Sequence, residues 1–156
     1  MDEAQLRAEG WRSLTPHRFS GAIGKTWARG QGAELTLGML AEEHVANENI
    51  GIVHGGALMP FADMALGSAR SHALGGMPRG TAQMQFHFVA AARIGSFITC
   101  CPEIVRRTSQ LVFLRALVES EGRTLAACDG IFKVLDDGKL ANLSDGKGVA
   151  YMHPQE

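Results

Sequence analysis

A chain of 156 residues, 46% hydrophobic and 20% charged, is long enough to bury a real core and is expected to form a single domain over residues 1–156. Its 15 basic and 16 acidic residues leave a net charge of −1. That balance excludes a global electrostatic pull toward nucleic acid or an anionic membrane, so any anion site has to be local.

The first residues, Met1-Asp2-Glu3-Ala4, lack the basic start and apolar stretch of a secretory signal, and no run reaches the length of a membrane span. The expected location is the cytoplasm. Asp2 to Trp11 reads as a short amphipathic helix closed off by Pro16. From Arg18 to Leu40 the pattern is strand-like, with a turn at Gly30-Gln31-Gly32 dividing Ile23–Ala28 from Ala33–Leu40. A buried strand end then runs into Val53-His54-Gly55-Gly56. Beyond it, apolar residues at 58, 61, 62, 65, 66, 69 and 73 have the i, i+3, i+4 spacing of one buried helical face. This is the one long helix predicted. Beginning near Ala57, it would hold Pro60 in its first turn, where the missing N–H has no partner to lose; a kink is the alternative. Gly75 to Gly80 end it.

Four strands follow. In Thr81–Phe88, Ala82, Met84, Phe86 and Phe88 alternate with Thr81, Gln83, Gln85 and His87, giving one apolar and one polar face. Gly95–Val105, Gln110–Glu119 and Thr124–Leu135 are joined by charged turns at Arg106-Arg107 and Glu121-Gly122-Arg123. These connections are too short for crossover helices, so neighbouring strands pair as antiparallel hairpins. The expected class is α+β, one long helix against a curled antiparallel sheet. Cys100 and Cys101 are adjacent in a strand and point to opposite faces, and Cys128 sits among alanines. No Cys-x-x-Cys spacing occurs, so the three cysteines read as structural and unbridged, with no metal site.

The chemistry concentrates in residues 51 to 69. Glycines at a helix start leave backbone N–H groups bare, with the positive end of the helix dipole behind them. Such amides suit a carbonyl oxygen that becomes negative under attack. Asp63 is a carboxylate in an otherwise apolar stretch, suited to act as base or nucleophile, or else simply solvated. It follows Gly55 by eight residues, about 12 Å of helix. One helix therefore cannot offer both groups to one small reacting centre, but a second subunit could bring another Asp63 close.

Val53-His54-Gly55-Gly56 followed by Ala62-Asp63 resembles the hotdog-fold acyl-CoA thioesterases, in particular the phenylacetyl-CoA type. Gly80-Thr81 and the turn Ala91-Ala92-Arg93-Ile94-Gly95 extend the resemblance over about residues 20–135. Residues 1–19, with the short helix, and 136–156, a C-terminal extension, lie outside it. The resemblance implies a central helix wrapped by a curved antiparallel sheet and a homodimer, assembling further as a dimer of dimers. The implied reaction is hydrolysis of an acyl-CoA without metal or redox cofactor, CoA being part of the substrate. Asp63 would activate water or attack the thioester itself. Gly55 N–H would polarise the carbonyl, with Gly56 beside it, and His54 would orient the turn rather than move a proton. Thr81 would hold water or Asp63. The family commonly has an amide side chain some six residues before the His; here that position is Glu48, flanked by Asn47 and Asn49, and Asn47 is the candidate. Arg106, Arg107 and Ser109 are candidates for the CoA phosphates, against a plain solvated turn. Phe61, Met59, Met64, Met77 and Met84 are candidates for an acyl pocket, with core filling as the plainer role. Two other readings stand beside hydrolysis. A hotdog dehydratase or hydratase uses a longer motif that His54 and Asp63 do not match, and a non-catalytic binding domain would hold the thioester without cleaving it.

Overall fold

The computed structural model describes residues 1–15, 18–73 and 79–135. Two α-helices, α1 (Glu3–Ala8) and α2 (Gly55–Ala73), accompany eight strands: β1 (Arg12–Leu14), β2 (Thr26–Arg29), β3 (Thr36–Leu40), β4 (Arg79–Phe88), β5 (Phe97–Cys100), β6 (Glu103–Arg107), β7 (Leu111–Ser120) and β8 (Arg123–Val134). They form one antiparallel sheet in the order β1-β2-β3-β5-β7-β8-β4, with β6 paired to β7. The long helix thus connects β3, in one half of the sheet, to β4 at its far edge. This is the α+β, helix-in-sheet arrangement of the hotdog fold.

The stripe on α2 is what seats it. Leu58, Phe61, Ala62, Ala65 and Leu66 are all within 2% of complete burial. They pack with Val112, Leu114 and Val118 of β7 and Ala126, Cys128 and Phe132 of β8. Every second residue of β7 turns inward, the period-two signature of a half-covered strand. Gly130 lets the helix approach: a Cβ there would lie 3.0 Å from Leu66 Cδ1 and 2.7 Å from the Phe132 ring. Phe61 is fully buried among the core residues, whereas Met59 is 42% exposed. Met64 and Met84 are partly buried against the core. Met77, Pro16 and residues 136–156 lie outside the described residues, as do the side chains of Ala69 and Ala73.

Several expected boundaries shift, each for a local reason. The N-terminal helix is shorter, capped by Asp2 and Gln5 in a reciprocal capping box. Trp11 is buried with Leu6 and Trp27 beside Phe97 in a second apolar cluster, and Arg12–Leu14 form a strand that no sequence pattern marks. Residues 18–23 make a 3-10 turn where strand was expected. The segment 95–105 divides at Cys101-Pro102 into β5 and β6, both paired to β7; proline has no N–H to give the ladder. Arg106 and Arg107 belong to β6, opposite Phe113 and Val112, and the turn falls on Thr108, whose hydroxyl accepts from Leu111 N–H at 2.9 Å. Helix α2 starts at Gly55, two residues early, so Pro60 lies inside it. The lost bond there is the one Gly56 C=O would have received.

Among the described residues no helix is long and apolar enough to cross a membrane.

Candidate active site

The start of α2 is held from three sides by backbone bonds. Ala46 and Val53 form an isolated antiparallel bridge, as do Ile52 and Arg93. Val53 N–H donates to Ala92 C=O at 2.9 Å, and His54 N–H to Val45 C=O at 2.8 Å. His54 is therefore fixed as the residue before the helix. Its carbonyl accepts from Ala57 N–H at 2.8 Å, and its ring Nδ1 accepts from Gly56 N–H at 2.8 Å. This imidazole acts as an N-cap acceptor, a position usually taken by Ser, Thr, Asp or Asn. Gly56 must be small because a Cβ would meet the same ring at 2.8 Å.

With Gly56 and Ala57 satisfied, Gly55 N–H is the amide at this helix start that bonds to no described residue. Phe88 at the end of β4 lies against it: a Cβ at position 55 would be 2.9 Å from two ring carbons. A side chain at position 55 would have to displace that ring.

His54 yields a sharp expectation. His54→Ala removes the acceptor from Gly56 and is expected to cost about 1 kcal/mol of stability, with a modest loss of turnover. His54→Asn, which retains an acceptor at the cap, should recover most of both in thermal melts and rate assays. A general-base histidine would not be rescued by asparagine, so failure of Asn to restore turnover would overturn the capping role.

Asp63, two turns along α2, is half-buried, and its Oδ1 accepts from Thr81 Oγ1 at 2.8 Å. Simple alternation would aim Thr81 at the outer face with Gln83, Gln85 and His87. A bulge between Thr81 and Gln83 changes that. Thr81 pairs with the buried Phe132, whereas Gln83 pairs with Ile131, the next residue along β8. Paired residues share a face, so the extra residue turns Thr81 toward the helix. Asp63 Oδ2 bonds to no described residue.

The other candidates lie apart. Asn47 closes its own loop: its N–H donates to Ile52 C=O at 2.6 Å, and its side-chain oxygen accepts from Asn49 N–H at 3.0 Å. Nothing links it to Asp63 or Thr81 among the described residues, and Glu48 and Asn49 are exposed. Arg106, Arg107 and Ser109 are exposed at the end of β6 and its turn. Cys100 and Cys128 are buried and Cys101 exposed, all free thiols; contact with Cys128 and burial push the Cys100 thiol well up. Among the described residues no group of three or more His, Cys, Asp or Glu is arranged to hold a metal. Two clefts, of about 300 and 490 Å³, lie on the sheet, and neither is lined by Asp63 or Gly55.

Residues 50–127, half of the chain, match the family model of the thioesterase superfamily. Thioesterase superfamily member 2 of zebrafish shares 21% identity, with a TM-score of 0.70 over 84% of this chain and 94% of its own. The Escherichia coli PaaI protein from the phenylacetic acid degradation operon shares 15%, with a TM-score of 0.64 over 86% of each chain. A Streptococcus mutans protein bound to acetyl-CoA shares 12%, with a TM-score of 0.63 over 80% of this chain and 88% of its own. At these identities the likeness is one of fold. No curated protein sequence matches this chain.

Proposed function

This chain belongs to the thioesterase superfamily, and from that premise we propose that it hydrolyses a short-chain or aromatic acyl-CoA to the free acid and CoA. The observation that carries the reading is Asp63. It is a half-buried carboxylate held by Thr81 through one oxygen, with the other bonded to no described residue. The thioester carbonyl accepts from Gly55 N–H at the positive end of α2, which stabilises the oxyanion as attack proceeds. Asp63 either takes the proton of the attacking water or attacks the carbonyl itself, giving a mixed anhydride that water then opens. In both routes the carbonyl–sulfur bond breaks and the CoA thiolate leaves to be protonated. No metal or redox group takes part, and CoA enters only as part of the substrate. Two neighbours of the same fold support the substrate class, one with acetyl-CoA bound and one from a phenylacetic acid operon.

The working unit in this reading is a cytoplasmic homodimer, assembling further as a dimer of dimers. Strand β4 supports it. Ten residues long, it ends the sheet and among the described residues pairs with β8 alone, a long open edge of the kind natural proteins cover. Phe88 and Val89 at its end are 56% and 62% exposed. A second copy pairing along the same edge by two-fold symmetry would cover both.

Thiol release across a panel of acyl-CoA esters tests the reading, with Asp63→Ala as the control. Wild-type release from aryl or short acyl chains, lost in the control, is the expected result. Binding without release from any ester would instead identify a non-catalytic acyl-CoA module.

Arg106 and Arg107 carry the next expectation. They are exposed and in no ion pair among the described residues, and with Ser109 they are the proposed contacts for CoA phosphate. Arg106→Ala or Arg107→Ala should raise KM for an acyl-CoA about tenfold while leaving a truncated thioester without the nucleotide nearly unchanged, as remote ground-state contacts do. Equal effects on the two substrates would assign the pair to strand structure.

A further inference from the structure

Coenzyme A carries a diphosphate and a separate 3′-phosphate, so the proposed substrate presents two anionic groups. On one protomer, Arg107 stands opposite Val112 and Arg123 opposite Ser120. Those positions are eight residues apart on β7, roughly 26 Å, farther than the two phosphate groups of one CoA lie from each other, so on one protomer Arg107 and Arg123 belong to alternative anchors. The cleft of about 300 Å³ at the Arg123 end is lined by Arg93, Arg123, Glu121, Ser96 and Ser120.

Three features make this cleft an anion site and tie it to the reacting centre. First, its floor is rigid. Val89 and Ala90 N–H both donate to Leu125 C=O, at 2.8 and 3.0 Å, and Gly95 N–H donates to Ala41 C=O at 2.7 Å. Ser96 Oγ donates to Arg93 C=O at 2.6 Å, so the backbone that carries Arg93 is fixed on both sides. Second, its positive charge exceeds its negative, two arginines to one carboxylate. Neither Arg93 nor Arg123 is in an ion pair among the described residues, although Glu121 lines the same cleft. Arg123 spends one N–H on Ala91 C=O at 3.4 Å, leaving the rest of its donors free. Third, it adjoins the helix start. Arg93 is bridged to Ile52, three residues before Gly55 and about 10 Å away along an extended backbone.

We propose that Arg93 and Arg123 form a phosphate-binding pocket on the Gly55 side of the site, distinct from Arg106 and Arg107, that anchors the nucleotide end of CoA while the acyl thioester reaches Gly55. The proposal rests on the acyl-CoA reading of the site. Glu121 acts in it as a built-in opponent, weakening phosphate binding so that the CoA product is released.

Calorimetric titration with CoA and with pantetheine tests the pocket without requiring turnover. Arg93→Gln and Arg123→Gln should each weaken CoA binding about tenfold, as loss of a charge-assisted contact does, and leave pantetheine binding unchanged. Glu121→Gln should tighten CoA binding, which a purely structural turn residue would not do. Thermal melts confirm that each variant is folded, and Arg→Lys variants should recover part of the affinity. Unchanged CoA affinity in Arg93→Gln and Arg123→Gln, equal weakening toward both ligands, or no CoA binding by the wild-type chain would overturn the proposal. Hydrolysis of a truncated acyl thioester by the wild-type chain tests the enzymatic reading on its own. Its failure would remove that reading, while the CoA affinities would still decide the pocket.

Discussion

Asp63→Ala is expected to leave the fold intact and lower turnover by at least about 100-fold, the loss typical of removing a group that moves a proton or forms a covalent bond in the reaction. The side chain is half-buried at the margin of the α2 stripe, not inside it. Its truncation opens no cavity under Leu58, Phe61 or Leu66, and melting temperatures should change little. Asp63→Asn sharpens the test. The amide keeps the volume and still accepts from Thr81 Oγ1, now at 2.8 Å from the carboxylate, but neither accepts a proton from water nor attacks a thioester. It should be nearly as inactive as Asp63→Ala. Near-normal release of CoA thiol by either variant would remove Asp63 from the chemistry and return it to the role of a satisfied surface carboxylate.

Deleting the Gly55 amide should cost about 10²- to 10³-fold, the usual effect of losing one oxyanion donor. Proline is the cleanest deletion, since the first helical position tolerates it. Its ring would press on Phe88, so Gly55→Pro should be made alone and with Phe88→Ala, and inactivity of both assigns the loss to the amide. The larger consequence comes from mixing. Gly55 and Asp63 are about 12 Å apart on one helix, whereas reacting atoms must come within about 3.5 Å. An antiparallel pair of α2 helices closes that distance twice. Refolding Asp63→Ala chains together with Gly55→Pro chains should then restore about a quarter of wild-type activity. Half the dimers are mixed, and each mixed dimer has one intact site of two. Mixtures that stay as inactive as their parents, or full activity in a wild-type preparation that sediments as a monomer, would rule the shared site out.

The central helix was legible because one signal dominates there. Apolar residues at 58, 61, 62, 65 and 66 admit one buried face, and the same face is found against β7 and β8. The pairing of β7 with the strands before and after it followed from connection length alone, whereas the place of β4 beside β8 did not. Less was visible where tertiary packing overrides a local pattern. Arg12–Leu14 carry no strand alternation and are extended because β2 lies beside them. Pro102 divides a strand that hydropathy alone joins, and this moved Arg106 and Arg107 from a turn onto β6. At the site, His-Gly-Gly marked the bare amides correctly as a helix start, but which amide stays bare depended on the imidazole turning back to Gly56. The Thr81 contact was readable from the resemblance but not from the strand pattern. Strict alternation aims that hydroxyl away from Asp63, and nothing in Gly80-Thr81-Ala82-Gln83 signals an added residue. The Arg93–Arg123 pocket brings together residues thirty positions apart in sequence that no motif connects.

The bulge after Thr81 makes the length of this stretch a matter of parity. Between Thr81 and Met84 the chain is one residue longer than β8 requires, and that surplus decides which way the threonine points. A lineage losing the surplus residue would pair Thr81 with Phe132 by plain alternation and keep the hydroxyl on Asp63, whereas one that kept the length but straightened the strand would slip the pairing by one and turn it to solvent. A second added residue would need a second bulge to hold the same face. Changes of length in these four residues are therefore expected to survive only where Thr81 stays opposite Phe132, a constraint on pairing where the identities of the side chains leave little trace.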